Sequence, residues 1–266
     1  MSADTGEQLR AALWERPTDR ALLAVYADWL AQAGETSRAE YIHLSLLERR
    51  SPAQERRREA LRKRDRGTWL GPARRFVWTW QESDESPGFV AQVQCSMPKL
   101  VAGFELVRAL GPRLVVSVSA PKARREVEAL ATLPLGTLYG LALYENDAQW
   151  VNDDLLVAIA PRIAGLRKLV LHAEEARASL RGWRAVLDRL DGIEELDLSL
   201  GDPPEAWIAA LLESSSTRSL RRLSVPGWLD RAIRERLVAT LPACAIELRD
   251  EQRLRFDREA GYYVRD

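Results

Sequence analysis

Two cysteines, Cys95 and Cys244, are all the thiol chemistry that the chain carries. That number excludes a disulfide framework, and their apolar surroundings predict buried free thiols in a reducing compartment. No apolar run approaches the roughly 18 residues that a transmembrane helix needs. The opening Met1-Ser-Ala-Asp-Thr-Gly-Glu7 is acidic and lacks the apolar stretch that directs secretion. Net charge is missing as well, since 39 basic and 39 acidic side chains give a formal sum of +0. A neutral chain has no global attraction for nucleic acid or an anionic membrane. The expected location is therefore the cytoplasm, without membrane attachment. Neither G-x-G-x-x-G nor G-x-x-x-x-G-K-[ST] occurs, so the usual phosphate-binding glycine loops are absent too.

Hydrophobic residues, by contrast, make up 46% of the chain, enough for a substantial core. Their spacing is repetitive. Leu138-Tyr-Gly-Leu141-Ala-Leu143-Tyr-Glu-Asn146 reads L-x-x-L-x-L-x-x-N, the signature of a leucine-rich repeat. The skeleton returns at Leu166-Leu169-Leu171, at Ile193-Leu196-Leu198 and at Leu220-Leu223-Val225, with central leucines 28, 27 and 27 residues apart. Weaker copies are centred on Val93, Val116 and Ile246, so the whole series steps by 23 to 28 residues. Between the strands lie helical stripes: Leu100, Phe104, Val107 and Leu110; Val127, Leu130 and Leu133; Val151, Leu155, Ile159 and Ile163; Leu180, Trp183, Leu187 and Leu190; Trp207, Leu211 and Leu212; Leu229, Ile233, Leu237 and Leu241. Strand and helix alternating at this period predict an α/β fold, specifically a leucine-rich-repeat-like αβ solenoid with parallel strands inside and helices outside. Only the Leu138 repeat has the ninth-position Asn; the others carry Glu174, Gly201 and Trp228 there, which predicts irregular curvature.

The first 69 residues are different. Thr5-x-x-Gln8 predicts a capping box opening one helix, and Pro17-Thr18-Asp19 breaks it and opens a second with Leu22, Tyr26, Trp29 and Leu30 at helical spacing. A third carries Tyr41, Leu44 and Leu47. Within this segment, Arg20-Ala-Leu-Leu-Ala-Val-Tyr26-Ala-Asp28-Trp29-Leu30, followed by Gly34-Glu35 and Arg38-Ala-Glu40-Tyr-Ile42, resembles the repeat-companion domain. The resemblance covers about residues 7 to 48 and implies a small bacterial helical module that precedes degenerate leucine-rich repeats. Trp69-Leu-Gly-Pro72 and Gly88-Phe-Val90 are similar to the join used in that family. The expected organisation is thus a helical domain with a charged connecting helix over 1–69 and about seven degenerate repeats over 70–266. Gly71-Pro72 marks the boundary. A strand is predicted over Arg75–Trp80, and Trp69, Trp78 and Trp80 are expected to pack over the end of the repeats, whose terminal apolar surface needs a cap.

Because side chains alternate along a strand, the residues flanking each leucine share the concave face. Seven of these, Tyr144, Lys168, His172, Glu195, Asp197, Arg222 and Glu247, form the candidate partner-binding surface. Tyr and Arg lead the choice, because they join contact area to directed hydrogen bonds. Catalysis is not expected. His172, Asp197 and Ser199 hold the atom types of a triad, but on an open face without a nucleophile elbow or an oxyanion loop. No cofactor or metal is expected: His172 with Glu174 and Glu175 reads as a polar loop, and His43 has no carboxylate or cysteine at ligand spacing.

The expected function is non-enzymatic recognition of a protein partner through the concave face, as a scaffold or adaptor. No small-molecule substrate is evident. One alternative is a regulatory or target subunit of a bacterial signalling or defence system, acting through the helical domain. The other is nucleic-acid binding through the basic helix over 49–66, where Glu55, Glu59 and Asp65 are interleaved with the arginines.

Overall fold

The computed structural model describes residues 3–65, 67–119, 121, 123–144, 151–173, 177–200, 205–249, 254–257 and 262–265. The chain is α/β, with an eight-stranded, mostly parallel sheet whose strands follow chain order. No described helix is long and apolar enough to cross a membrane. Two compact units are present: Met1–Val93 with Glu105–Leu114, and Gln94–Phe104 with Val115–Asp266.

The first unit opens with helices α1 (Ala3–Glu15), α2 (Arg20–Gln32) and α3 (Thr36–Leu46). Thr5 and Gln8 lie inside α1 rather than at its start. Asp19 caps α2, its carboxylate accepting from Leu22 N at 3.0 Å. Leu13, Leu23, Tyr26, Leu30, Ile42 and Phe89 form one core, with Leu22 and Trp29 only partly buried against it. Tyr26 stacks on Phe89 at 5.3 Å and on Trp29 at 5.7 Å. Gly88 sits at φ +80, and a Cβ there would meet the Ile42 side chain at 2.7 Å, so the turn that delivers Phe89 needs glycine. Arg38 Nε donates to the Gly88 carbonyl at 3.0 Å.

Helix α4 (Pro52–Asp65) is opened by a capping box, Ser51 N to Gln54 Oε1 at 2.8 Å and Gln54 N to Ser51 Oγ at 3.2 Å. Most of its cations are paired with carboxylates: Arg58 by Glu55, which also pairs with Arg50 ahead of the helix, Arg57 by Glu40, Arg62 and Lys63 by Glu59, and Arg64 by Asp65. Pairs this exposed add little stability each, but they offset part of the helix's positive charge. Thr68–Phe76 is 3-10 helix, with apolar Trp69, Leu70 and Ala73 turned inward. The strand predicted over Arg75–Trp80 is displaced accordingly: β1 spans Thr79–Glu82, and β2 spans Val90–Cys95. Trp69 packs with Tyr41 (centroids 4.8 Å apart) and Leu61, and Trp80 lies against the same cluster. These two indoles therefore serve the helical core of their own unit, and Trp78 is 52% exposed rather than packed as a cap. The tryptophan pattern was legible; its destination was not, because the 3-10 stretch redirects it.

Helix α5 spans Met97–Arg108. The second unit then alternates: β3 (Val115–Ser119), α6 (Arg124–Leu130), β4 (Gly140–Tyr144), α7 (Asp153–Ile159), β5 (Lys168–Ala173), α8 (Leu180–Leu187), β6 (Glu195–Leu200), α9 (Glu205–Glu213), β7 (Arg222–Pro226), α10 (Arg231–Thr240) and β8 (Ala245–Arg249). Asn152, Ser179 and Asp230 cap α7, α8 and α10. Strands β3 to β8 pair in parallel, one with the next. Register aligns Val116, Leu141, Leu169, Leu196, Leu223 and Ile246 in one row. Val118, Leu143, Leu171 and Leu198 form a second row. All of these but Ile246 are buried. Burial of a leucine contributes a few kcal/mol, of order 1.5–3, so the rows are the main source of cohesion in this unit.

Backbone bonds at the strand entries repeat along the series. Tyr139 O accepts from Arg167 and Lys168 N, Arg167 O from Glu194 and Glu195 N, and Glu194 O from Arg221 and Arg222 N, all within 2.8–3.0 Å. At Gly136 a Cβ would fall 1.8 Å from Ala164 O, so these neighbouring turns approach closely only because the residue is glycine. Asn146, Glu174 and Gly201 lie outside the described residues. Strands β9 (Leu254–Asp257) and β10 (Tyr262–Arg265) pair antiparallel with each other. Both cysteines are free; burial pushes the Cys95 thiol up to about 12, which leaves it unreactive near neutrality.

Candidate functional site

Opposite the leucine rows, the same register brings the remaining side chains into rows of their own. One runs Val115, Gly140, Lys168, Glu195, Arg222, Ala245, and the next Ser117, Ala142, Val170, Asp197, Ser224, Glu247. A third places Ser119, Tyr144, His172 and Ser199 abreast. The side chain of Ser199 is outside what the structure describes.

The charges on this face are paired across strands. Lys168 Nζ lies 2.7 Å from Glu195, Arg222 lies 3.5 Å from Glu195 and 3.4 Å from Glu247, and Arg249 lies 2.6 Å from Asp197. In the chain Lys168–Glu195–Arg222–Glu247 the sign alternates, and strands about 4.8 Å apart place these side chains of neighbouring strands within ion-pair reach. Five of the seven candidate residues, Lys168, Glu195, Asp197, Arg222 and Glu247, line one small depression of about 60 Å³ with Ser224 and Arg249. The other two, Tyr144 and His172, pair with each other, ring centroids 6.0 Å apart and tilted by 45°.

The face is less open than the sequence predicts. In its middle row Ser117, Ala142, Asp197 and Ser224 are 2, 1, 7 and 3% exposed. Around Asp197 the cause is visible: Arg249 reaches diagonally from β8 and bonds the carboxylate, so the acid sits beneath a guanidinium. The rim stays accessible, with half of the Arg222 side chain exposed. Arg249, which is not among the seven candidates, is thus a structural member of the candidate site.

Elsewhere, His43 Nε2 lies 3.0 Å from Asp28 Oδ1, both exposed, on α3 and α2. The sequence hides this pair because the residues are 15 apart and meet only when the two helices pack. Among the described residues no three His, Cys, Asp or Glu side chains are grouped to hold a metal ion.

No family model matches the chain, and no curated protein or solved structure matches it either.

Proposed function

We propose that the chain is a non-enzymatic protein-recognition module of the cytoplasm, in which a leucine-rich-repeat-like solenoid presents its concave strand face to a protein partner. The observation that carries this reading is the unbroken parallel register from β3 to β8, which sets Tyr144, His172, Asp197 and Arg222 on successive strands. A rigid sheet pre-organises many contacts, so little ordering cost falls due on binding. The Tyr26-Ala-Asp-Trp-Leu30 stretch supports a repeat-companion role for the helical segment. Nucleic-acid binding through α4 is the weaker reading, since Arg57, Arg58, Arg62 and Arg64 are already paired with carboxylates.

The test is recovery of partner from lysate of the native host on the tagged full chain, against Tyr144→Ala with Arg222→Asp. Arg222 is half exposed and Tyr144 only partly buried, so the variant is expected to fold as the parent does, judged by its melting temperature. Removal of two anchors of these types is expected to lower recovery by more than about tenfold. Unchanged recovery, with loss instead on replacing Asp28 and His43, would move the function to the helical unit and the regulatory-subunit reading. Recovery of nucleic acid that falls steeply with salt would favour α4.

A further inference from the structure

The first unit contains a cavity of about 420 Å³ that none of the residues named for partner recognition touches. That volume lies within the range of small-molecule sites. Its walls carry both signs of charge, with the arginines on one side and two carboxylates across from them. Helix α4 contributes Arg58 and Arg62, one turn apart on one face, and Glu59, whose carboxylate is already paired with Arg62. Strand β1 and the turn after it contribute Trp80, Glu82 and Asp84. Tyr41 of α3 completes the lining used here.

Each group is held in place. Glu55 takes the Nε and Nη2 edge of Arg58, and Glu59 takes the same edge of Arg62, which leaves the Nη1 amine out of both ion pairs. The Nη1 of Arg58 makes only a long contact, 3.5 Å, with the Tyr41 hydroxyl. Tyr41 is packed by Trp69 and by Arg58 over its ring, so it works as a strut beside Glu82 in the lining. Gly88 N donates to the Glu82 carboxylate at 3.2 Å. Burial raises the pKa of Glu82 above the usual carboxylate range, against the pull of Tyr41, Gly88 and the two arginines. A half-buried acid of this kind gains from a cationic partner.

A simple anion in this space meets Glu82 and Asp84, and a simple cation meets Arg58 and Arg62. A ligand carrying both charges satisfies both walls. We propose that the cavity binds a small zwitterion of the α-amino-acid class. Its carboxylate lies against Arg58 and Arg62, its ammonium against Glu82 and Asp84, and its side chain along the Trp80 indole.

The experiment is isothermal titration of the full chain with the standard L-amino acids, one at a time. The best binder is followed by its decarboxylated amine and its deaminated acid. Saturable binding is expected for at least one amino acid, with both half-charged analogues weaker by more than about tenfold, since each forfeits a set of charge-assisted hydrogen bonds. Arg62→Gln and Asp84→Asn, whose side chains lie at the surface, are each expected to weaken the amino acid similarly at an unchanged melting temperature. The proposal is overturned if no amino acid binds at millimolar concentration, or if the amine or the acid alone binds as tightly as the zwitterion. Should the variants misfold, the analogue series decides without them.

Discussion

Leu196→Ala is expected to cost about 2–5 kcal/mol of stability, read as a lower urea midpoint for the full chain at unchanged slope. Leu196 is 1% exposed and stands in register between Leu169 and Leu223. Truncation removes the buried methyl groups and leaves a void that its neighbours, fixed by parallel pairing on both sides, are poorly placed to refill. Leu169→Ala, at 0% exposure, belongs to the same class. Leu248→Ala on the last strand is the internal control: it is 44% exposed, has a strand partner on one side in this sheet, and is expected to stay below about 1 kcal/mol. Equal losses at Leu196 and Leu248 would mean that the rows do not act as the core.

Asp197→Arg is expected to be comparably damaging, at about 3–5 kcal/mol, although it lies on the face opposite the leucines. Its carboxylate is 7% exposed and bonded by Arg249 at 2.6 Å, so the substitution removes the partner of one guanidinium and buries a second cation beside it. Arg222→Asp on the neighbouring strand is expected to cost far less, within about 1 kcal/mol, because half of that side chain is in water and its pairs are screened. A companion Arg249→Asp change is expected to restore part of the Asp197→Arg loss by re-forming the pair with reversed sign. Without any recovery in that double variant, the ion pair is not what holds Asp197 in place.

The repeat positions were readable because both the strand and the helix period are written in large apolar side chains. Leu141, Leu169, Leu196 and Leu223 recur at nearly fixed spacing, and parallel register follows from aligning them. Which residues share the polar face follows from alternation alone, and Tyr144, His172, Asp197 and Arg222 do share it. What alternation does not contain is depth. Asp197 looks like Arg222 in the pattern, and only the reach of Arg249 from β8 separates a buried acid from an exposed base. Contacts between distant helical residues were equally hidden. The Asp28–His43 pair and the Tyr41–Trp69–Trp80 cluster depend on how short helices cross and on a 3-10 stretch that runs into the start of the predicted strand. The amphoteric cavity assembles from three elements, α3, α4 and β1, none of which has a motif.

The proposed recognition surface is tested most directly by placing a photo-crosslinking benzoylphenylalanine, one site at a time, in the full chain expressed in its native host. Tyr144 samples the polar strand face, Val157 the exposed side of α7 and Val25 the exposed side of α2, the last two being 37 and 48% exposed. One discrete protein adduct is expected from position 144 under irradiation and none from 157 or 25. An adduct from position 157 or 25 with none from 144 would contradict the concave-face reading.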